Sequence, residues 1–152
     1  MEYVKEIIIN KLIGIDSNKE IIEEAKEKFS NVQFKDNSVV IFDVDETALD
    51  NYGLAEEMGF GYVYKMNKQW NVKMKSPAIG QVKELYDFLL SKGAKIIFLT
   101  GRNLPEYEVT YKNLKNAGYT VFDTLITQIG DETKMKASKE EAEADKFARE
   151  IL

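Results

Sequence analysis

Val39-Val40-Ile41-Phe42 runs without a break into Asp43-Val44-Asp45, and this junction restricts the architectures open to the chain. An uninterrupted β-prone run reads as a strand buried on both faces, the kind found inside a parallel sheet. In open α/β sheets, ligands bind in the crevice outside the carboxyl ends of the strands. Asp43 and Asp45 fall at such an end, and residues two apart in an extended segment point to the same side. Two carboxylates held together repel, and need a cation or a shared proton. That suits holding magnesium and attacking phosphorus. A lone Asp-x-Asp is equally well explained as a polar strand end with a helix cap, so its surroundings must decide.

Those surroundings alternate strands with helices. Ser17-Asn18-Lys19-Glu20 has the spacing of a capping box, and Ile21, Ile22, Ala25 and Phe29 recur at helical spacing, which predicts a helix over 17–30 that serves packing. Tyr3 to Leu12 reads as a shorter helix broken by Gly14, so residues 1–35 form an N-terminal helical segment. After the strand at 38–43, a polar and aromatic insert covers 51–76. Ser76 and Pro77 read as N-cap and first helical position of a helix carrying Val82, Leu85, Tyr86, Leu89 and Leu90, stopped by Gly93. A buried strand at 95–99 follows, then a helix from Pro105 with the stripe Leu104, Tyr107, Tyr111 and Leu114, ending near Gly118. A third strand is expected over 120–126, and a last helix from Ser138 to Leu152. This β, helix, β, helix, β order predicts one α/β domain over 1–152, with a parallel sheet and right-handed crossovers.

Composition narrows the chemistry. The 152 residues suit one domain. A net charge of −5 leaves no basic footprint for nucleic acid, so a phosphate site would need local positive charge from a metal and a lysine. With no cysteine and no histidine, thiol chemistry, disulfides and imidazole ligands are excluded, and oxygen ligands favour magnesium over zinc. No segment has the apolar length to span a bilayer. The start, Met1 to Glu6, does not read as a secretory signal, so the expected location is cytoplasmic, or extracytoplasmic if a leader has been removed.

The second buried strand ends in Phe98-Leu99-Thr100-Gly101-Arg102, a hydroxyl followed by a glycine that lets backbone approach a ligand. Alone, this is an ordinary strand-to-turn transition. Together with Asp-Val-Asp-Glu-Thr-Ala-Leu-Asp-Asn at 43–51, it resembles the motifs of the haloacid-dehalogenase-like phosphatases. The wording is most similar to their acid phosphatase branch, which includes bacterial class B and class C enzymes and plant vegetative storage proteins. Arg102-Asn103 and the stretch Lys112 to Tyr119 read like the same branch, so the resemblance spans roughly Ser38 to Ile126.

That resemblance implies a Rossmann-like sheet with helices on both faces and a small cap at 51–76. It implies Asp43 as nucleophile and Asp45 as general acid and base, its proton retained with help from the neighbouring charge. Mg2+ would be held by Asp43 and the backbone carbonyl of Asp45. Thr100, Gly101 and Arg102 would contact the substrate phosphate, while Glu46, Thr47, Asp50 and Asn51 would shape the turn. A lysine after the third strand is expected, with Lys146 first, Lys136 second, and Lys134 and Lys139 behind. The family's C-terminal strand with further acidic ligands is not expected here; Asp131 is the candidate replacement. A sheet edge left open would invite a homodimer. The substrate would be a small phosphomonoester, a nucleotide or aryl phosphate if the insert's aromatics stack on it, although the burial habit of aromatics favours Trp70 and the tyrosines packing the insert onto the core. An inactive storage or binding protein, and a phosphotransferase, are the alternatives.

Overall fold

The computed structural model describes residues 7–9 and 15–128, with side chains from 19 to 128. Four strands, β1 (Ile7–Ile9), β2 (Val39–Asp43), β3 (Lys95–Asn103) and β4 (Thr124–Gln128), form one sheet in the order β1-β2-β3-β4. All three pairings are parallel. Helices α1 (Ile15–Ser30), α4 (Gly80–Ser91) and α5 (Tyr107–Asn116) connect them, and α2 (Tyr52–Glu57) and α3 (Tyr64–Lys73) form the insert. The expected α/β architecture is present. No helix among the described residues is long and apolar enough to cross a membrane.

The strand carrying the acids is internal, with β1 on one side and β3 on the other. Val40, Ile41 and Phe42 are buried, as the apolar run requires. Ile22 and Phe29 of α1 and Val82, Leu85, Tyr86 and Leu89 of α4 bury against the same core, while Ile21 faces out. At the centre, Phe98 lies 5.9 Å from Phe42 and 5.2 Å from Tyr119 between ring centroids. Fully burying each such side chain contributes about 1.5–3 kcal/mol. The Tyr86 hydroxyl is satisfied locally, donating to Val121 O at 2.7 Å and accepting from Val121 N–H at 2.9 Å. Gly93 and Gly118 stop α4 and α5 at φ 85° and 98°, the left-handed conformation that glycine adopts without penalty.

Four expectations are corrected. Within Tyr3–Leu12, Ile7–Ile9 forms a strand rather than part of a helix, pairing Ile7 with Val40; three β-branched residues in succession favour the extended state. Ser76 does not cap α4, which begins at Gly80. Instead Ala78 bridges Leu49, and Pro77 O accepts the Asp50 N–H at 2.9 Å. The third core strand starts at Thr124 rather than 120, since Tyr119 is fully buried and Asp123 already ties the chain to Ile96. The insert's tyrosines and Phe60 are exposed rather than packed on the core. Trp70 is half-buried, lying over Gly53 and donating to the Ser76 hydroxyl, both within the insert. The last helix, Lys134, Lys136, Lys139, Lys146 and Asp131 lie outside the described residues.

Candidate active site

β2 stops at Asp43 because the chain turns tightly there. Val44 O accepts N–H bonds from Ala48 and Leu49 at 3.0 and 2.8 Å. Glu46 takes φ 56° within the turn, a left-handed conformation that costs a non-glycine residue about 1–2 kcal/mol. The turn swings Thr47 back over the strand end, where its hydroxyl donates to Asp43 Oδ2 at 2.9 Å. Asp50 accepts the Tyr52 N–H at 2.8 Å and leads the chain into the insert.

On the neighbouring strand, Asp43 is in register with Leu99, so Thr100, Gly101 and Arg102 continue beyond it on the same side of the sheet end. The register of β3 with β4 slips between Leu99 and Asn103, the irregularity that re-aims side chains at sheet ends. Thr100 is buried and its hydroxyl accepts the Arg102 N–H at 3.1 Å. The buried Arg102 guanidinium reaches Asp45. Its Nε donates to both carboxylate oxygens at 3.2 and 3.0 Å, and its Nη2 donates to Oδ1 at 2.6 Å. Nη1 donates to Thr110 Oγ1 of α5 at 3.2 Å. A second donor, Asn51 Nδ2, meets Asp45 Oδ1 at 2.7 Å.

Burial pushes the Asp43 carboxyl above its ordinary range, and the Asp45 charge adds to this; the Thr47 hydroxyl, the Val44 N–H and Arg102 oppose it. Glu46 is raised for the same first reason, burial, with Asp45 again contributing. A cavity of about 310 Å³ opens between the strand ends and the insert. Asp45, Glu46, Gly101 and Arg102 form its floor, and Leu54, Ala55, Met58, Tyr62 and Lys68 come from the insert. Asp43 and Thr100 stand beside the cavity at the strand tips rather than among its lining residues.

The insert is fastened across this cavity by Glu106, which pairs with Lys68 and accepts from Asn71 Nδ2 at 2.9 Å and from the Asn103 N–H at 3.2 Å. Burial alone would raise the Glu106 carboxyl, but these donors outweigh it and hold it below its ordinary 4.5. A depressed folded value means stability that is present above the unfolded value and lost as pH falls through the folded one. Glu106→Gln is therefore expected to lower the melting temperature at neutral pH, by a loss of about 1–3 kcal/mol. The gap from wild type should close as the pH drops below about 4.5. Thermal unfolding of both proteins between neutral and acid pH checks it.

Of the residues singled out from sequence, Asp43, Asp45, Thr100, Gly101 and Arg102 gather at adjoining strand ends. The structure adds Asn51, Ser76, Thr110, Glu106 and Lys68, which hold these groups or the insert in place; of these, only Asn51 falls within a sequence motif. Magnesium is compatible with this donor set. A half-buried carboxyl repelled by its neighbour is relieved by a cation, and the available donors are the hard oxygens such an ion takes. Among the described residues, no three acidic side chains converge on one point.

The family profile described as HAD superfamily, subfamily IIIB (acid phosphatase) matches residues 1–150. The chain is 34% identical over 130 residues to a stem 28 kDa glycoprotein of Glycine max, an alignment covering 83% of this chain and 50% of that one. It is 32% identical over 136 residues to acid phosphatase 1 of Solanum lycopersicum, covering 86% and 53%. It thus spans about half the length of these relatives. Among solved structures, the class C acid phosphatase from Bacillus anthracis with tungstate bound superposes with a TM-score of 0.62 at 21% identity, over 87% of this chain and 56% of that one. HAD-type acid phosphatases generally use a divalent metal.

Proposed function

Because this chain belongs to the HAD superfamily, subfamily IIIB of the acid phosphatases, we propose that it hydrolyses small phosphomonoesters with Mg2+ bound and Asp43 as nucleophile. The observation that carries this is the meeting of Asp43 and Asp45 with Thr100-Gly101-Arg102 at the ends of two paired strands, beside a cavity roofed by the insert. An Asp43 oxygen attacks phosphorus, and the P–O bond to the alcohol breaks as the leaving oxygen takes a proton from Asp45. Asp45 then accepts a proton from the water that attacks the aspartyl phosphate, releasing phosphate and restoring Asp43. The Thr100 hydroxyl and the backbone N–H groups near Gly101 hydrogen-bond the phosphoryl oxygens, and phosphoryl transfer rewards such positioning.

Asp43 and the main-chain carbonyl of Asp45 would hold the magnesium, with Asp131 as a further ligand. The ion supplies charge neutralisation and orientation of the phosphoryl group. Lys146, or Lys136 in its place, would balance the remaining phosphate charge, and Arg102 borders the phosphate position while holding Asp45. The expected result is turnover of p-nitrophenyl phosphate that is lost on chelation and restored by magnesium. No turnover at any pH, together with no heat of magnesium binding by calorimetry, overturns the reading. That outcome would favour an inert descendant, the reading suggested by relatives known as stem glycoproteins. Product analysis with an added alcohol separates hydrolysis from phosphotransfer.

A further inference from the structure

One chain of hydrogen bonds runs from the insert to the general acid. Trp70 Nε1 of α3 donates to Ser76 Oγ at 2.8 Å, Ser76 Oγ donates to Asn51 Oδ1 at 2.6 Å, and Asn51 Nδ2 donates to Asp45 Oδ1 at 2.7 Å. Ser76 and Asn51 are buried, 3% and 5% exposed. Ser76 is also clamped through its backbone: its N–H donates to Asn113 Oδ1 at 3.3 Å, and its carbonyl accepts from Asn113 Nδ2 at 2.7 Å. The polarity of the chain is fixed at both ends. An indole N–H can only donate, and Asp45 Oδ1 accepts here from both Asn51 Nδ2 and Arg102 Nη2. Turning the Asn51 amide over would set its oxygen against the Asp45 carboxylate and its amino group against the Ser76 hydroxyl.

We infer that Asn51 and Ser76 are positioning residues that couple the seating of the α3 insert to the orientation of the Asp45 carboxyl. The inference rests on the proposed role of Asp45 as general acid, but the coupling itself is a structural property that can be read without turnover. With the insert seated, Trp70 orients the Ser76 hydroxyl, which fixes the Asn51 amide, which presents its N–H to Asp45 Oδ1, the oxygen that Arg102 Nη2 also reaches. Lifting α3 removes the first donor and frees the amide to rotate. Seating the insert thus adds a second restraint on the Asp45 carboxyl beside that of the Arg102 guanidinium. The Ser76 hydroxyl is committed to this relay rather than to capping α4, which begins at Gly80.

Trp70 is the single tryptophan of the chain, so its fluorescence reports the far end of the relay. Asp45→Ala is expected to change Trp70 emission and acrylamide quenching in the otherwise wild-type protein, and to leave both unchanged in a Ser76→Ala background. Asn51→Ala cuts the relay at a second place, should Ser76→Ala fail to fold. In turnover, Ser76→Ala is expected to lower kcat for an alkyl phosphate by about 10-fold or more at little change in KM. The loss should be smaller for p-nitrophenyl phosphate, whose leaving group needs little help from an acid, and Ser76→Thr should restore both. Identical Trp70 emission in wild type and Asp45→Ala, an equal shift in both backgrounds, or equal kcat losses on the two substrates would overturn the inference. A wild type without phosphatase activity would remove the proposed function and leave the fluorescence comparison to decide the coupling.

Discussion

Asp43→Asn is expected to lower kcat for an aryl phosphate by a factor on the order of 10⁴ or more, with the fold intact, if the proposed mechanism holds. An amide has neither the charge nor the nucleophilicity to attack phosphorus, and nothing adjacent can substitute, since Asp45 is engaged with Arg102 and Asn51. The structural cost is small. Asn has the same shape, and its oxygen can still accept the Thr47 hydroxyl that now meets Oδ2 at 2.9 Å. Burial already sets the Asp43 carboxyl above its ordinary range, so its ionised form is disfavoured in the folded chain. The metal-free variant is therefore expected to melt at the same temperature as wild type or higher at neutral pH, a gain in stability made by discarding a functional charge. Kinetics and thermal unfolding on one preparation decide this. Retained turnover, free of contaminating enzyme, would remove Asp43 as nucleophile, whereas a collapsed melting temperature would show the carboxylate to be structural.

The strand ends were legible in the sequence because two kinds of signal coincide there. Apolar runs at 39–42 and 96–99 mark buried parallel strands, and the polar residues just after them have no packing reason to be there. The parts around the ends were harder to see. The sequence reading took Leu104, Tyr107, Tyr111 and Leu114 as the inner stripe of α5. In the structure Leu114 is buried in the core and Tyr107 and Tyr111 pack against it, as that stripe requires, while Leu104 is half exposed. Beside the stripe, the buried positions Glu106, Thr110 and Asn113 fall at i, i+4 and i+7. This is a helical face of polar residues turned inward to serve Lys68, Arg102 and Ser76. Hydrophobic periodicity cannot find such a face, because its partners are hydrogen bonds rather than apolar area. Ile7–Ile9 failed differently: three residues are too few for any period to discriminate helix from strand, and pairing with β2 settled the matter. Asn51 lay within the recognised motif but read only as a turn residue, since its bond to Asp45 depends on how the turn folds back.

Arg102 offers the sharpest division between reading and geometry. Sequence likeness placed it on the substrate phosphate, while the structure commits its Nε and Nη2 to Asp45 and its Nη1 to Thr110. Arg102→Ala removes one partner of a largely desolvated pair. With the arginine side chain 4% exposed and that of Asp45 33%, water can reach the orphaned carboxylate in part. The expected loss therefore lies at or below the low end of that for buried pairs, about 2–3 kcal/mol. For a chain of this length that is a fall of roughly 5–10 °C in melting temperature. Arg102→Lys keeps the charge but replaces a planar fork with a single ammonium that cannot serve Asp45 and Thr110 together. Its kinetics separate the two roles. If Arg102 chiefly holds the general acid, the lysine variant lowers kcat by about 10²-fold with KM nearly unchanged, and more for poor leaving groups than for p-nitrophenolate. If it chiefly binds the phosphate of the substrate, KM rises and the leaving-group dependence stays that of wild type. The hydrogen bonds to Asp45 and Thr110 favour the first result, and a KM-only effect would return Arg102 to the substrate.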